Sequence, residues 1–269
     1  MKYYLYNNLA NNGIRPSFLS DMTIVDAVGL NYKEFFDNLE PSDEVVVVGG
    51  DGTINYLINE IDTSTIKNKI YYTAAGTGND FLNDLGTQEK EIPLNDLIKD
   101  LPVVYVNGLE KKFINGIGYG IDGYCCEEAD KIKAKKPHAK INYTGIAIKG
   151  LLFFFKPRTA SITIDGETYN FKNVWLAPSM KGKFYGGGMM VAPGQDRKNH
   201  DLTVVVYSCR SRFKTLISFP SIFKGEHVKK TKMVKVMTGK NITVKFDKPC
   251  ALQIDGDTVL NVSEYSVKA

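Results

Sequence analysis

The strongest chemical signal in this 269-residue sequence is Val48-Gly49-Gly50-Asp51-Gly52-Thr53. It sits between four consecutive valines, Val45 to Val48, and a stretch whose Ile54, Leu57, Ile58 and Ile61 recur on one helical face. Glycines at a strand-to-helix junction let the main chain turn sharply and approach a ligand with no Cβ in the way. The first turn of the helix adds unpaired N–H groups and a positive dipole end. That arrangement suits a phosphate. A plain turn would use one Gly-Gly pair as readily, but an acidic residue inside the cradle favours the phosphate. A carboxylate there makes sense if it holds a metal ion or takes a proton. A second loop, Ala75-Gly76-Thr77-Gly78-Asn79-Asp80-Phe81, follows the next strand-like run, Ile70 to Ala74. A third polar loop, Asn7 to Gly13, follows the first strand. All three should leave the carboxyl edge of one parallel sheet, where open α/β sheets bind ligands.

The elements that would hold these loops are legible as an alternation. Lys2 to Asn7, Val45 to Val48 and Ile70 to Ala74 read as strands, and Glu34 to Leu39 and Ile54 to Ile61 as helices. The valine run is apolar throughout, as expected of a strand covered on both faces. From about Phe113 the pattern changes to short β-rich runs: 161–164, 174–177, 204–207, 242–246 and 251–254. Asp165-Gly166 and Asp255-Gly256 separate such runs as hairpin turns. Helical insertions are expected over about 139–154 and 213–223. The fold class is therefore α/β: an N-terminal parallel-sheet nucleotide-binding domain over 1–112, then an antiparallel β-sandwich domain over 113–269, with the extreme C terminus free to return to the first domain.

Composition sets the boundaries of this reading. The length suits two domains, and 43% apolar with 24% charged residues excludes a disordered or fibrous chain. The longest apolar run, Leu151 to Phe155, is far short of a membrane span, and the start lacks the apolar core of a secretory signal, so a cytoplasmic protein is expected. Cys125, Cys126, Cys209 and Cys250 lack metal or redox spacing and read as reduced and structural. A net charge of +4 does not imply nucleic acid as a partner.

The order of motifs resembles the diacylglycerol kinase catalytic-domain family, which includes bacterial lipid kinases and sphingosine kinases. Asn7 to Gly13, Gly49-Gly50-Asp51-Gly52-Thr53 and Gly76-Thr77-Gly78-Asn79-Asp80-Phe81 carry the likeness first. It continues through Phe113-Ile114-Asn115-Gly116-Ile117-Gly118 with Gly120 and Asp122, then Tyr185-Gly186-Gly187-Gly188-Met189 and Pro193, to Asp255-Gly256-Asp257. NAD kinases share the first glycine motif; the Gly-Thr-Gly-Asn-Asp-Phe loop points to lipid kinases. The resemblance implies transfer of the ATP γ-phosphoryl group to a lipid hydroxyl, most simply of diacylglycerol or a related glycerolipid. It implies nucleotide contacts from Asn7, Asn8, Leu9, Ala10 and Asn11, from Gly49, Gly50, Asp51, Gly52, Thr53 and Ile54, and from Gly76, Thr77, Gly78 and Asn79. Asp51 would organise Mg²⁺ or the incoming hydroxyl, Asp257 would be the general base, and Asp51, Asp80, Asp196 and Asp201 would supply metal ligands.

The chain departs from the family pattern in three places. Asn199-His200-Asp201 replaces an Asp-Gly pair after the triple glycine, which is why Asp196 and Asp201 enter as substitutes. Tyr56 stands where relatives commonly carry Glu, and Asn8 where they carry Pro. Two alternatives therefore stay open: an NAD kinase and a catalytically silent nucleotide- or lipid-binding relative. Gly118 to Gly123 fits the dinucleotide fingerprint but lacks the acidic residue about twenty positions on. His138, His200 and His227 are scattered and read as surface residues. Lys131, Lys133, Lys135, Lys136 and Lys140 precede Leu151 to Phe155, and Lys224, Lys229, Lys230, Lys232 and Lys235 lie near Phe219 and Phe223. Such runs fit a solvated face; beside apolar residues they also fit peripheral contact with an anionic membrane surface. A homodimer is compatible with the sequence.

Overall fold

The computed structural model describes residues 1–8, 15–76, 79–136 and 139–269. Two compact units result, Met1–Leu101 and Pro102–Ala269.

The first unit runs β1 (Lys2–Tyr6), β2 (Thr23–Asp26), α1 (Tyr32–Asp37), β3 (Glu44–Gly49), α2 (Asp51–Glu60), β4 (Lys69–Ala74), α3 (Asp80–Leu85), β5 (Ile92–Pro93) and α4 (Asn95–Ile98). Its sheet has the order β2-β1-β3-β4-β5; all neighbours are parallel except β5, which runs antiparallel to β4. Val45, Val46, Val47 and Val48 are all buried, as a strand at the centre of a doubly covered sheet must be. Tyr4, Tyr6, Val46 and Val48 pack with Leu19 on one face. Alternation turns Leu5, Val45 and Val47 to the other. Ile54, Leu57 and Ile58 are the buried stripe of α2, while Ile61 falls at its C-cap. Asn31 starts α1 by accepting a hydrogen bond from the Glu34 N–H.

The second unit opens with the hairpin β6 (Val103–Val106) and β7 (Leu109–Lys112), then β8 (Gly116–Tyr119), α5 (Ile121–Lys135), and α6 (Tyr143–Lys149), which leads into a π-helical turn over Gly150–Phe154. It continues with β9 (Arg158–Ile164), β10 (Glu167–Leu176), β11 (Ser179–Met180), β12 (Phe184–Tyr185), β13 (Met189–Met190), β14 (Leu202–Ser208) and α7 (Arg212–Ser218). A 3-10 turn over Phe219–Lys224, β15 (Val234–Gly239), β16 (Asn241–Ile254) and β17 (Asp257–Lys268) complete it.

β16 is the organising strand. Its first half pairs with β9 and its second half with β8, and a register break between Lys245 and Cys250 lets it turn between the two. The pairings β16-β8-β11-β14-β10-β9 therefore lead back to β16. Inside this circuit Tyr119 stacks on Phe246, ring centroids 4.0 Å apart, and meets the edge of Tyr265. A second apolar cluster, with Ile121, Cys125, Leu151, Phe155 and Trp175, joins α5 and the π-helical turn to the sheet.

Three expectations change, at residues 102–112, at the C terminus and at His227. Residues 102–112, placed in the first domain, form β6 and β7, and β6 hydrogen-bonds to β17 in the second unit's sheet. The same pairing keeps the C terminus in the second unit. The stretch read as a weak dinucleotide fingerprint and a basic run contains α5: Gly120 supplies its N-cap at φ 113°. Lys131 is ion-paired to Glu127 and Glu128, and Lys133 and Lys135 sit in the last turn, where the helix dipole favours cations. His227 is buried rather than on the surface, its Nε2 against the Val191 carbonyl oxygen at 2.9 Å, and burial lowers its pKa. His200 is exposed as expected, and His138 lies outside the described residues.

Candidate active site

β1, β3 and β4 finish level, with Tyr6 beside Val48 and Gly49 beside Ala74. The loops after them consequently leave one edge of the first unit's sheet. Gly49 and Gly50 join the two glycine loops directly. The Gly49 carbonyl oxygen accepts from the N–H groups of Ala75 (2.8 Å) and Gly76 (3.2 Å) and from the Tyr72 hydroxyl (3.1 Å). A Cβ on Gly76 would lie 2.7 Å from Gly50 Cα and 2.9 Å from Gly50 N, so the loops cross backbone against backbone. Around Gly52, by contrast, a Cβ would meet nothing within 4 Å. Gly50 is the N-cap of α2 and no side chain caps that end. The first turn of α2 is thus exposed at Gly52 and suited to an anion.

Asp51 locks the junction. Its Oδ2 accepts from the Asp80 N–H at 2.8 Å and its Oδ1 from the Phe81 N–H at 3.2 Å, so one carboxylate at the start of α2 caps the start of α3. Tyr72 and Phe81, ring centroids 5.8 Å apart, form the buried floor beneath. Burial, and then the Asp51 charge, push the Tyr72 phenol well above its usual range. Asn79 donates from Nδ2 to the Gly76 carbonyl at 3.2 Å, while its Oδ1 is buried with no partner among the described residues. At the same edge the Asp26 carboxylate accepts from the N–H groups of Val28 (3.0 Å) and Asn8 (3.3 Å). Bonds from Val28 and Asn8 hold its pKa below the usual carboxylate range. Asn7 and Asn8 follow β1 here; Leu9, Ala10, Asn11, Thr77 and Gly78 lie outside the described residues. Asp26 and Tyr72 were missed in the sequence. Nothing in their local spacing marks them, and only the parallel register brings them to the edge of the glycine loops.

The expected metal ligands divide between the two units, Asp51 and Asp80 in the first and Asp196 and Asp201 in the second. Among the described residues no three His, Cys, Asp or Glu side chains converge. Both oxygens of Asp51 face main-chain N–H groups, and Asp80 is buried at the start of α3. Asp196 and Asp201 are exposed in the second unit, and Asp196 accepts from the Lys198 N–H at 3.0 Å within its own turn. Buried side chains organise that loop instead. Gln195 donates to the carbonyls of Lys181, Asp196 and Asp201, the Lys181 ammonium donates to the Asn199 carbonyl at 2.8 Å, and the Arg197 guanidinium donates to the Ile114 carbonyl at 2.6 Å. Two buried cations, Lys181 and Arg197, thus hold this loop through main-chain carbonyls.

Residues 115–265 match the YegS C-terminal NAD kinase beta sandwich-like domain, and residues 24–103 match the diacylglycerol kinase catalytic domain. The chain belongs to the family defined by that YegS C-terminal domain, and its first unit is similar to the diacylglycerol kinase catalytic domain. Among curated relatives it is 28% identical over 226 residues to a protein of Mycobacterium tuberculosis (strain CDC 1551 / Oshkosh) named "Diacylglycerol kinase", covering 80% of this chain and 71% of the relative. It is also 28% identical over 238 residues to the Bacillus subtilis (strain 168) protein named "Putative lipid kinase YtlR", covering 79% and 73%. A crystal structure described as "a putative diacylglycerol kinase from Bacillus anthracis str. Sterne" has the same fold, with a TM-score of 0.70 at 20% identity over 99% of this chain and 91% of the other.

Within this family the departures acquire local explanations. Tyr56, in place of Glu, lays its ring against the edge of Tyr32, centroids 5.7 Å apart. Asp257 ion-pairs with Lys111 on β7 and its side chain is 63% exposed. The two hairpins that echo each other in sequence also work alike. Asp165 accepts from the N–H groups of Lys240 and Asn241, and Asp255 from those of Ile114, Asn115 and Gly116, each latching a turn onto a neighbouring segment. Asp122, at the start of α5, is buried, takes a hydrogen bond from the Tyr185 hydroxyl, and keeps Oδ1 without a protein partner among the described residues. Burial pushes its pKa up to about 6 against the lowering effect of that bond.

Proposed function

We infer that this protein is an ATP-dependent lipid kinase that phosphorylates a hydroxyl of diacylglycerol or a related glycerolipid. The observation that carries the reading is the crossing of the two glycine loops, with Gly76 against Gly50, beside the uncapped and exposed start of α2. Phosphoryl transfer asks for alignment and charge stabilisation more than covalent participation, and rigidly held amides supply both. Family membership and the names of the relatives support a lipid acceptor. Gly50 to Ile54 and the Gly76 loop would hold the phosphates, and Asn7, Asn8 and Asn79 the rest of the nucleotide. Asp51 would fix the loops relative to each other, and Asp257, once released from Lys111, would take the acceptor proton.

Acceptor lipids are presented at a surface, so contact with an anionic membrane follows from the reading. Phe153 and Phe154 project from the π-helical turn, 70% and 65% exposed, and Arg212 ties α7 to that turn through the Leu151 carbonyl at 2.8 Å. Phe213 and Ile217 on α7 are also exposed. Among the described residues no helix is long and apolar enough to cross a membrane.

The test is a kinase assay with labelled ATP and a panel of diacylglycerol, phosphatidylglycerol, sphingoid bases and NAD. Label in an organic-phase product is expected, with turnover reduced on the order of 100-fold or more by Asp257→Ala, the usual contribution of a positioned proton acceptor. Consumption of NAD without lipid would replace this reading with an NAD kinase. ATP binding without any product would make the chain a silent relative.

A further inference from the structure

A cavity of about 320 Å³ lies wholly within the second unit, between α5, the end of the π-helical turn and the bulged middle of β16. Its walls combine two chemistries. Tyr124, Phe154 and Phe155 supply aromatic surface, and Lys156 and Arg158 supply positive charge. Glu127 also lines it, but that carboxylate is paired with Lys131 at 2.8 Å. Arg158 is held in place by its own surroundings: the guanidinium carbon sits 5.3 Å from the centre of the Phe155 ring. Its Nε–H is nevertheless buried with no hydrogen-bond acceptor among the described residues. A buried donor of this kind is seldom left unmade in a native protein. Arg158 as a residue lines a cavity of ligand size whose one acidic lining residue, Glu127, is already paired.

We propose that this cavity binds the phosphate group of a phosphate-bearing amphiphile, with Arg158 as the principal anchor and Lys156 beside it. A guanidinium offers parallel N–H donors matched to phosphate oxygens, and a planar cation stacked on an aromatic ring loses little freedom in making those bonds. The apolar walls and the exposed Phe154 would take the first carbons of an acyl chain, so the ligand carries an anionic head and a hydrocarbon tail together. A free phosphate would satisfy Arg158 and leave the aromatic surface wet. The inference goes beyond the kinase reading and does not require turnover.

The single tryptophan of the chain reports on the cavity, because Trp175 packs on Phe155 with ring centroids 6.2 Å apart. The full chain would be titrated with dihexanoyl phosphatidic acid below its micelle concentration, with dihexanoylglycerol, and with inorganic phosphate, reading Trp175 emission and heat. Saturable binding of the phosphatidic acid is expected. Dihexanoylglycerol and inorganic phosphate should each bind at least tenfold more weakly. Arg158→Gln should weaken phosphatidic acid binding at least tenfold. Lys156→Gln, at an exposed position that does not threaten folding, should weaken it about threefold. Inorganic phosphate binding as tightly as the lipid would overturn the amphiphile assignment. No saturable binding, or wild-type affinity in both folded variants, would overturn the site.

Discussion

Asp51 commits both carboxylate oxygens to main-chain N–H groups of the second glycine loop, a task that asparagine can only half perform. Asp51→Asn keeps one acceptor and turns a donor toward the other N–H. With one charge-assisted bond lost and a mismatch left behind, kcat/KM for ATP should fall about 100-fold, equivalent to about 2.7 kcal/mol. Steady-state kinetics with ATP varied would measure it, and wild-type kinetics in the variant would remove Asp51 from the loop-fixing role. Asp122 makes a different residue-level statement. Its pKa is raised from the unfolded value near 3.8 to about 6, so the folded state holds the proton more tightly. The sign is therefore a penalty: absent below about pH 3.8, growing as pH rises through that window, and complete above about pH 6, on the order of 3 kcal/mol. Asp122→Asn should accordingly be more stable than the parent at pH 8 by roughly 1–3 kcal/mol and no more stable near pH 4. Urea unfolding at the two pH values checks this, and a variant equally or less stable at pH 8 would refute the penalty.

Among the elements, the start of α2 separates glycines that the fold needs from those it does not. A Cβ at Gly76 would press on Gly50 backbone, which has no rotamer to yield, so Gly76→Ala should cost about 1–3 kcal/mol and activity with it. Gly52 lies in an exposed helical turn with open space around it, where alanine should leave stability unchanged or raise it by about 0.5–1 kcal/mol. If that opening admits phosphate, Gly52→Ala loses turnover while keeping its melting temperature. Calorimetry and kinetics on the pair check both halves, and full activity in Gly52→Ala would show that nothing approaches there. These loops were readable because strand, glycine and amphipathic helix follow one another within a dozen residues. The paired Asp-Gly hairpins were readable too, since a tight turn leaves its mark on two adjacent positions. The interior of the loop around Gln195 was not: the donors of Lys181, Gln195 and Arg197 act on carbonyls as far away as Ile114, and no local spacing announces such bonds. Helix α5 was hidden because its sequence mixes glycine, adjacent cysteines and charges, and its buried positions are set by the sheet it lies on.

At the scale of the whole molecule, the two matched regions, 24–103 and 115–265, follow the two units closely, and the hairpin β6–β7 lies at the start of the second. The sequence suggested a boundary about eleven residues later, and only the pairing of β6 with β17 assigns residues 102–112 to the second unit. Surface chemistry belongs to this scale as well. Replacing Phe153 and Phe154 together by serine removes exposed aromatic area without touching the buried Leu151 and Phe155. The double variant should keep its fold and sediment at least fivefold less with anionic vesicles, a comparison against zwitterionic vesicles isolating the charge contribution. Unchanged sedimentation would place membrane contact elsewhere.

Because β16 is a member of both walls of the strand circuit, neither wall has a lateral border along which it could peel away alone. Losing the register break near Cys250 would uncouple Val244 from Leu252 and turn one cooperative body into two weaker ones.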